Sequence, residues 1–387
     1  MVADSTMTEQ PQVPPIQYTE FQDDSPPQLL MKYTPDSSKN NFLKGLKWSP
    51  DGTCLLTNSE NRKLSLYELQ GGPPSSYSLN QVLRVSEGED IYDFCWYPYM
   101  KSSDPSGCVF LSTSGDHPIH LWDAYTGLSR ASYSGYDHTD SLVSAYCVCF
   151  SPDGSRIIAG YNKIVRIFDT EVSGRDCKEY PTVPIKSNRP QKRVVAAEYS
   201  LNGVISTVSC NPDYSGVVAC GSFNSLIGLY VEKNLEPIAL LQAHPGGVTQ
   251  VVWSPCGNYL YSGGRRDPWV MCWDIRNTCD VIFKMPRVCK NNQKLFFDVD
   301  SSGRILATGS QNGDVLFYDL KFSGKFISKT TLSDAVNGVS IHPTGTLLAT
   351  STGQRHLPKF EDSESDNEES FDNSIALWNY DKVNLKQ

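Results

Sequence analysis

A chain of 387 residues is longer than one ordinary domain of ~100–200 residues, so it holds several domains or one large repeat array. Hydrophobic residues at 39% and charged ones at 20% describe a soluble, foldable chain, and no run approaches the ~18 consecutive apolar residues of a membrane-spanning helix. A formal net charge of −9 argues at first against a nucleic-acid partner, yet residues 1–27 carry five acids and no base, residues 358–374 carry seven acids and Lys359 alone, and the remainder holds 33 bases against 31 acids, so the body is close to neutral.

Residues 1–27 have neither a basic patch nor an apolar run, and they read as a disordered acidic segment without a secretory signal. The strand-like Gln28-Leu29-Leu30-Met31-Lys32-Tyr33-Thr34 follows and belongs to no local pattern. Then one motif, an apolar strand ending in a turn, recurs seven times. Its landmarks are Trp48, Trp96, Phe150, Cys210, Trp253, Val299 and Ile341, at a mean spacing of about 49 residues. A second aromatic closes a later strand of each unit, at Tyr67, Trp122, Phe168, Tyr230, Trp273, Tyr318 and Trp378. Six residues before each stands an Asx: Asn61, Asp116, Asn162, Asn224, Asp267, Asn312 and Asp372. Asx side chains bond the backbone of tight turns, and the strand that follows alternates until its aromatic packs between layers.

Each unit therefore supplies four strands, and one such sheet cannot bury both faces alone. Seven sheets packed radially close into an all-β, seven-bladed WD-repeat β-propeller; Trp122-Asp123, Phe168-Asp169, Trp273-Asp274 and Tyr318-Asp319 are WD-type endings. The chain stops nine residues after Trp378, so the last unit lacks an outer strand, and the strand at residues 28–34 is expected to supply it and clasp the ring. The propeller is placed at 28–382, with the acidic insert 358–374 in its last blade and a tail at 383–387. A ring of non-local strand pairs makes the chain a candidate chaperonin client.

Insertions decorate the repeats. The gap between Asp169 and Cys210 holds the basic residues Lys186, Arg189, Lys192 and Arg193. In the acidic insert, Ser363 and Ser365 each have an acid three residues on, a pattern open to an acidophilic kinase but more simply read as a solvated loop. The twelve cysteines form no C-x-x-C pair and read as small buried hydrophobes of an intracellular protein rather than as zinc ligands or disulfides. No G-x-S-x-G elbow, H-E-x-x-H motif or phosphate loop is present, so neither an enzyme nor a cofactor or metal site is expected. The triad-like set His244, Ser262, Asp267 and Trp273 reads as a structural network inside the fifth unit.

Function is expected on one rim. Four residues before each first landmark the chain emerges at the channel mouth, at Lys44, Tyr92, Tyr146, Ser206, Thr249, Leu295 and Asn337. Neighbouring rim turns add Arg62, Tyr161, Lys163, Phe223, Arg265, Arg266, Lys290 and Arg355. Rings interleaved with cations suit splayed single-stranded RNA, where stacking supplies ~1–3 kcal/mol per base and cations neutralise phosphate. Spacing alone is more simply read as tyrosines that plug the channel and cations that are merely solvated. The candidate RNA-binding residues are Lys44, Tyr92, Tyr146, Tyr161, Phe223, Arg265 and Arg266.

The runs Ala219-Cys220-Gly221-Ser222-Phe223, Gly246-Gly247-Val248-Thr249, Gly263-Gly264-Arg265-Arg266-Asp267 and Ile91-Tyr92-Asp93-Phe94-Cys95-Trp96-Tyr97 go beyond the generic repeat signature. With Asn337-Gly338-Val339-Ser340 and Gly353-Gln354-Arg355 they make residues 28–380 resemble the telomerase Cajal body protein family, also called WD repeat-containing antisense to p53. The resemblance implies a non-catalytic scaffold that recognises the box in the terminal loop of small Cajal body RNAs and telomerase RNA. It further implies H/ACA ribonucleoprotein partners such as dyskerin, the telomerase complex, no membrane, and a nuclear Cajal-body location with some cytoplasmic protein. The competing reading is a peptide-reading adaptor without direct RNA contact. Relative to that family the acidic N-terminal segment is short, and little chain follows Trp378.

Overall fold

The computed structural model describes residues 26–35, 38, 40–72, 76–184, 197–356 and 371–380. Seven four-stranded antiparallel sheets form the blades of a propeller. From the centre outward, the strands of each blade are called a, b, c and d. The a strands are Leu43–Trp48, Ile91–Trp96, Cys147–Phe150, Ile205–Cys210, Val248–Trp253, Phe297–Val299 and Val336–Ile341. Each ends at a landmark read from the sequence, because the apolar run stops where a Pro- or Gly-containing turn begins. No α-helix occurs among the described residues.

Blade seven is completed as expected. Gln28–Tyr33 pairs antiparallel with Ile375–Asn379 and takes the place of the missing outer strand. Adjacent blades bury their faces against each other. The c-strand aromatics Tyr67, Phe168, Tyr230, Trp273, Tyr318 and Trp378 are all buried, while Trp122 is partly exposed. Burial of one such ring contributes ~1.5–3 kcal/mol, so the recurring aromatic is what makes each interface.

Side chains also weld the a strands to one another around the channel. Ser340 Oγ accepts the Trp48 N–H at 3.3 Å, Asp93 accepts that of Val148 at 3.2 Å, and Asp298 accepts that of Ile341 at 2.8 Å. Gln250 both accepts from and donates to the backbone of Phe297, at 3.0 and 2.9 Å. Lys47 reaches from blade one to the Phe94 carbonyl at 2.6 Å. These bonds satisfy buried backbone groups that a purely apolar channel would orphan.

Strands alternate in direction within a sheet. The d-to-a links and b–c turns therefore gather on one face, called the top, and the a–b and c–d turns on the opposite face, the bottom.

Candidate nucleic-acid interface

The offset residues and the b–c turns meet at the top of the channel. There a cavity of about 270 Å³ opens across blades two to six, close to the ~300 Å³ at which small-ligand clefts begin. Tyr92 and Tyr146, from the start of blades two and three, lie stacked with ring centroids 5.3 Å apart. Ser206 and Thr249 line the wall from blades four and five. Phe223 and Arg265 lean in from b–c turns, with the Arg265 guanidinium 4.2 Å from the Phe223 ring centroid. Tyr92 remains 41% exposed, so the rings are open to a ligand.

The backbone makes this closeness achievable. Arg265 Nε donates to the Gly246 carbonyl at 2.7 Å. A Cβ at Gly246 would stand 2.0 Å from the Arg265 carbonyl oxygen, and Gly247 has φ +100°. Only glycines allow this turn to pass between the two b–c loops. Among the described residues no carboxylate lies within ion-pair distance of Arg265, so its charge faces the cavity. Tyr92 and Tyr146 offer flat faces, Ser206 and Thr249 hydroxyls, and Arg265 a planar cation. Such a site can stack one unpaired base and hold a neighbouring phosphate.

The other sequence-selected residues divide. Lys44 lies on the same face but forms an ion pair with Glu60 at 2.7 Å, and Arg355 also engages that carboxylate. Arg266 is exposed beside the cavity, with φ +50°. Tyr161 does not reach the rim: it is 3% exposed, packed in the core between blades two and three with Arg166 4.4 Å from its ring centroid. Burial pushes its hydroxyl well above the ordinary tyrosine value. The reason is local: a hairpin, Gly135–Tyr136 with Leu142–Val143, covers this part of blade three, and Gly135 lies directly against the ring. Arg62 is bound by Glu89 at 3.0 Å and by Asp90 at 3.6 Å. Leu295 is fully buried, and Asn337 is tied to the Leu43 and Gly353 carbonyls, which closes the mouth on the side of blade seven. Ser363, Ser365 and the basic residues Lys186, Arg189, Lys192 and Arg193 lie outside the described residues.

Two cavity residues were missed by sequence reading, Asn292 and Lys294. They sit in the d-to-a link of blade six, where Val299 is a weak landmark and the four-residue offset fell on Leu295. The Lys294 amine stands 3.9 Å from Asp93, and burial lowers its pKa. It joins the mouth cavity to the channel below.

The triad-like set is a buried structural relay. His244 is fully buried, with Nδ1 3.0 Å from Asp267 and Nε2 3.0 Å from Ser262, whose oxygen accepts the Trp273 indole N–H at 2.8 Å. Blade two builds a similar relay that the sequence did not reveal: Trp122 donates to Ser112 at 2.7 Å, and Ser112 donates to Glu87.

The description "WD domain, G-beta repeat" matches residues 130–169 and 235–274. Telomerase Cajal body protein 1 of Mesocricetus auratus is 41% identical over 82% of this chain and 59% of its own length. That of Homo sapiens is 39% identical over 85% of this chain and 60% of its own. The chain is a WD-repeat propeller homologous to the telomerase Cajal body proteins. It spans about three-fifths of the length of these relatives. Guanine nucleotide-binding protein negative regulator 1 of Schizosaccharomyces pombe is also similar, 29% identical over 87% of this chain and 86% of its own length. No helix among the described residues is long and apolar enough to cross a membrane.

Proposed function

We propose that this chain is a non-catalytic RNA-binding scaffold. Its top cavity takes unstacked bases from the terminal loop of small Cajal body RNAs and of telomerase RNA. In that role it directs ribonucleoproteins to nuclear Cajal bodies and supports telomerase assembly, in company with H/ACA proteins such as dyskerin. The observation that carries the reading is convergence: Tyr92, Tyr146, Phe223 and Arg265, from four blades, line one cavity, and among the described residues no carboxylate pairs with the Arg265 guanidinium. Stacking supplies affinity, phosphate contacts add a salt-dependent share, and hydrogen bonds to base edges select the sequence.

A gel-shift titration with a small Cajal body RNA loop tests it. Affinity should fall with salt at a slope of ~0.7 per neutralised phosphate. Arg265→Ala and Phe223→Ala should each weaken binding by ~1–3 kcal/mol without changing the unfolding transition. Binding that ignores salt and both substitutions sinks the reading.

The adaptor reading draws support from the similarity to a protein named as a negative regulator of a guanine nucleotide-binding protein. RNase digestion separates the two. Partner proteins that stay attached after the RNA is destroyed favour the adaptor.

A further inference from the structure

The bottom face differs in chemistry from the top. The turn after the a strand of blade two carries Tyr97 and Tyr99, and the corresponding turn of blade four carries Tyr214. Tyr99 is 49% and Tyr214 67% exposed, yet their hydroxyls meet at 3.0 Å across blade three. Tyr97 packs edge-on to Tyr99 and to Phe150, and it lies so close to Gly154 that a Cβ there would stand 2.4 Å from the ring. Exposed aromatic rings held in place by one another lose little entropy on binding, and such clusters mark interaction surfaces.

Beside these rings runs a groove of about 620 Å³ between blades two and three. Asp104, Asp153, Asp169 and Glu171 line it. Arg130, the one lining cation among the described residues, is already spent on Asp123 and on the carbonyls of Pro105 and Ser106. Neutral donors serve the carboxylates instead. Ser106 bonds Asp104 at 2.7 Å, Ser155 bonds Asp153 at 2.8 Å, and the Glu171 N–H bonds Asp169 at 2.9 Å. The Ser106 bonds hold the Asp104 carboxyl below its ordinary pKa, and the Ser151 hydroxyl, with Ser155, does the same for Asp153; neither carboxylate makes an ion pair among the described residues.

We infer that this groove and its tyrosine cluster dock an arginine-bearing, extended segment of a partner protein. Phosphate is repelled by four carboxylates, which sets this face against RNA. Guanidinium satisfies both halves of the surface, stacking on the rings and pairing with carboxylate oxygens in a fork. The site lies on the face opposite the mouth cavity, so it stands or falls independently of the proposed function.

Fluorescence anisotropy on the full chain tests it, with a labelled peptide of alternating arginine and glycine and its glutamate counterpart as control. The arginine peptide should bind saturably and the glutamate peptide not at all. The pair Tyr99→Ala and Tyr214→Ala should weaken binding about tenfold, the loss of two exposed cation–π contacts. The set Asp104→Asn, Asp169→Asn and Glu171→Gln should weaken it at least as much, and Arg265→Ala should leave it unchanged. All these residues lie in turns except Asp169, the last residue of the c strand of blade three, and an unchanged unfolding transition verifies that each variant folds. The inference is overturned by absence of peptide binding to the wild-type chain. It is equally overturned by unaltered affinity in the tyrosine pair, which would trace binding to the acidic segments 1–27 and 358–374.

Discussion

Arg265 and Arg62 both stand in b–c turns on the top face, and sequence cannot tell them apart. Arg62 is claimed by Glu89 and Asp90, whereas Arg265 rests on Phe223 and keeps its charge for a ligand. Tyr161 makes the same point for a ring, since a hairpin from the preceding link buries it. Asp298 shows what the channel does to a charge. Burial pushes its carboxyl up to about 6, against donations from the Ile341 and Val299 N–H groups. A folded-state value above the ordinary carboxyl of ~3.9 means that the folded protein binds this proton more tightly than the unfolded chain. The associated stability is fully present below about pH 4 and is lost as pH rises through about 6. Urea unfolding of wild type and Asp298→Asn at pH 4.5 and 6.5 should therefore show the wild type losing just under ~2 kcal/mol more than the variant over that interval. Equal losses would mean that the channel is wetter than its geometry implies.

At the scale of elements, the repeat was legible because each blade must bury the same two faces, which forces apolar alternation and an aromatic at a fixed distance from its turn. The N-terminal strand was legible by bookkeeping, as the last unit was one strand short. It packs Leu30, Met31 and Tyr33 on the core shared with blade one, places the Tyr33 and Tyr67 ring centroids 5.5 Å apart, and ties Lys32 to Asp372 at 2.7 Å. Deleting residues 28–33 removes about three partly buried apolar side chains and leaves an open sheet edge. The thermal midpoint should fall by ~10 °C, and a peptide of residues 26–38 added in excess should restore part of it. A midpoint that does not move would show that the ring holds without its clasp. The blade-two relay stayed hidden because its histidine, His120, comes from the c strand and its acid, Glu87, from the d-to-a link, whereas blade five takes His244 from the link and Asp267 from the b–c turn.

For the whole molecule, the closing sheet joins residues about 340 positions apart, as the bond between Lys32 and Asp372 does. Loop-closure entropy must be met before that pairing returns anything, so refolding from denaturant should take seconds or longer and its yield should rise with chaperonin. Millisecond, quantitative refolding in stopped-flow fluorescence would contradict this. The two faces of the closed ring also separate by chemistry, with an arginine and aromatic rings lining the top cavity and four carboxylates beside tyrosines lining the bottom groove. Blade count, strand order and the clasp are local or periodic properties, and the sequence alone determined them. Which rim cations remain unpaired, which rings stay open, and that Lys294 enters the cavity were decided only in three dimensions. Charge pairing and burial depend on neighbours brought in from other blades, and a linear pattern carries no record of those distances.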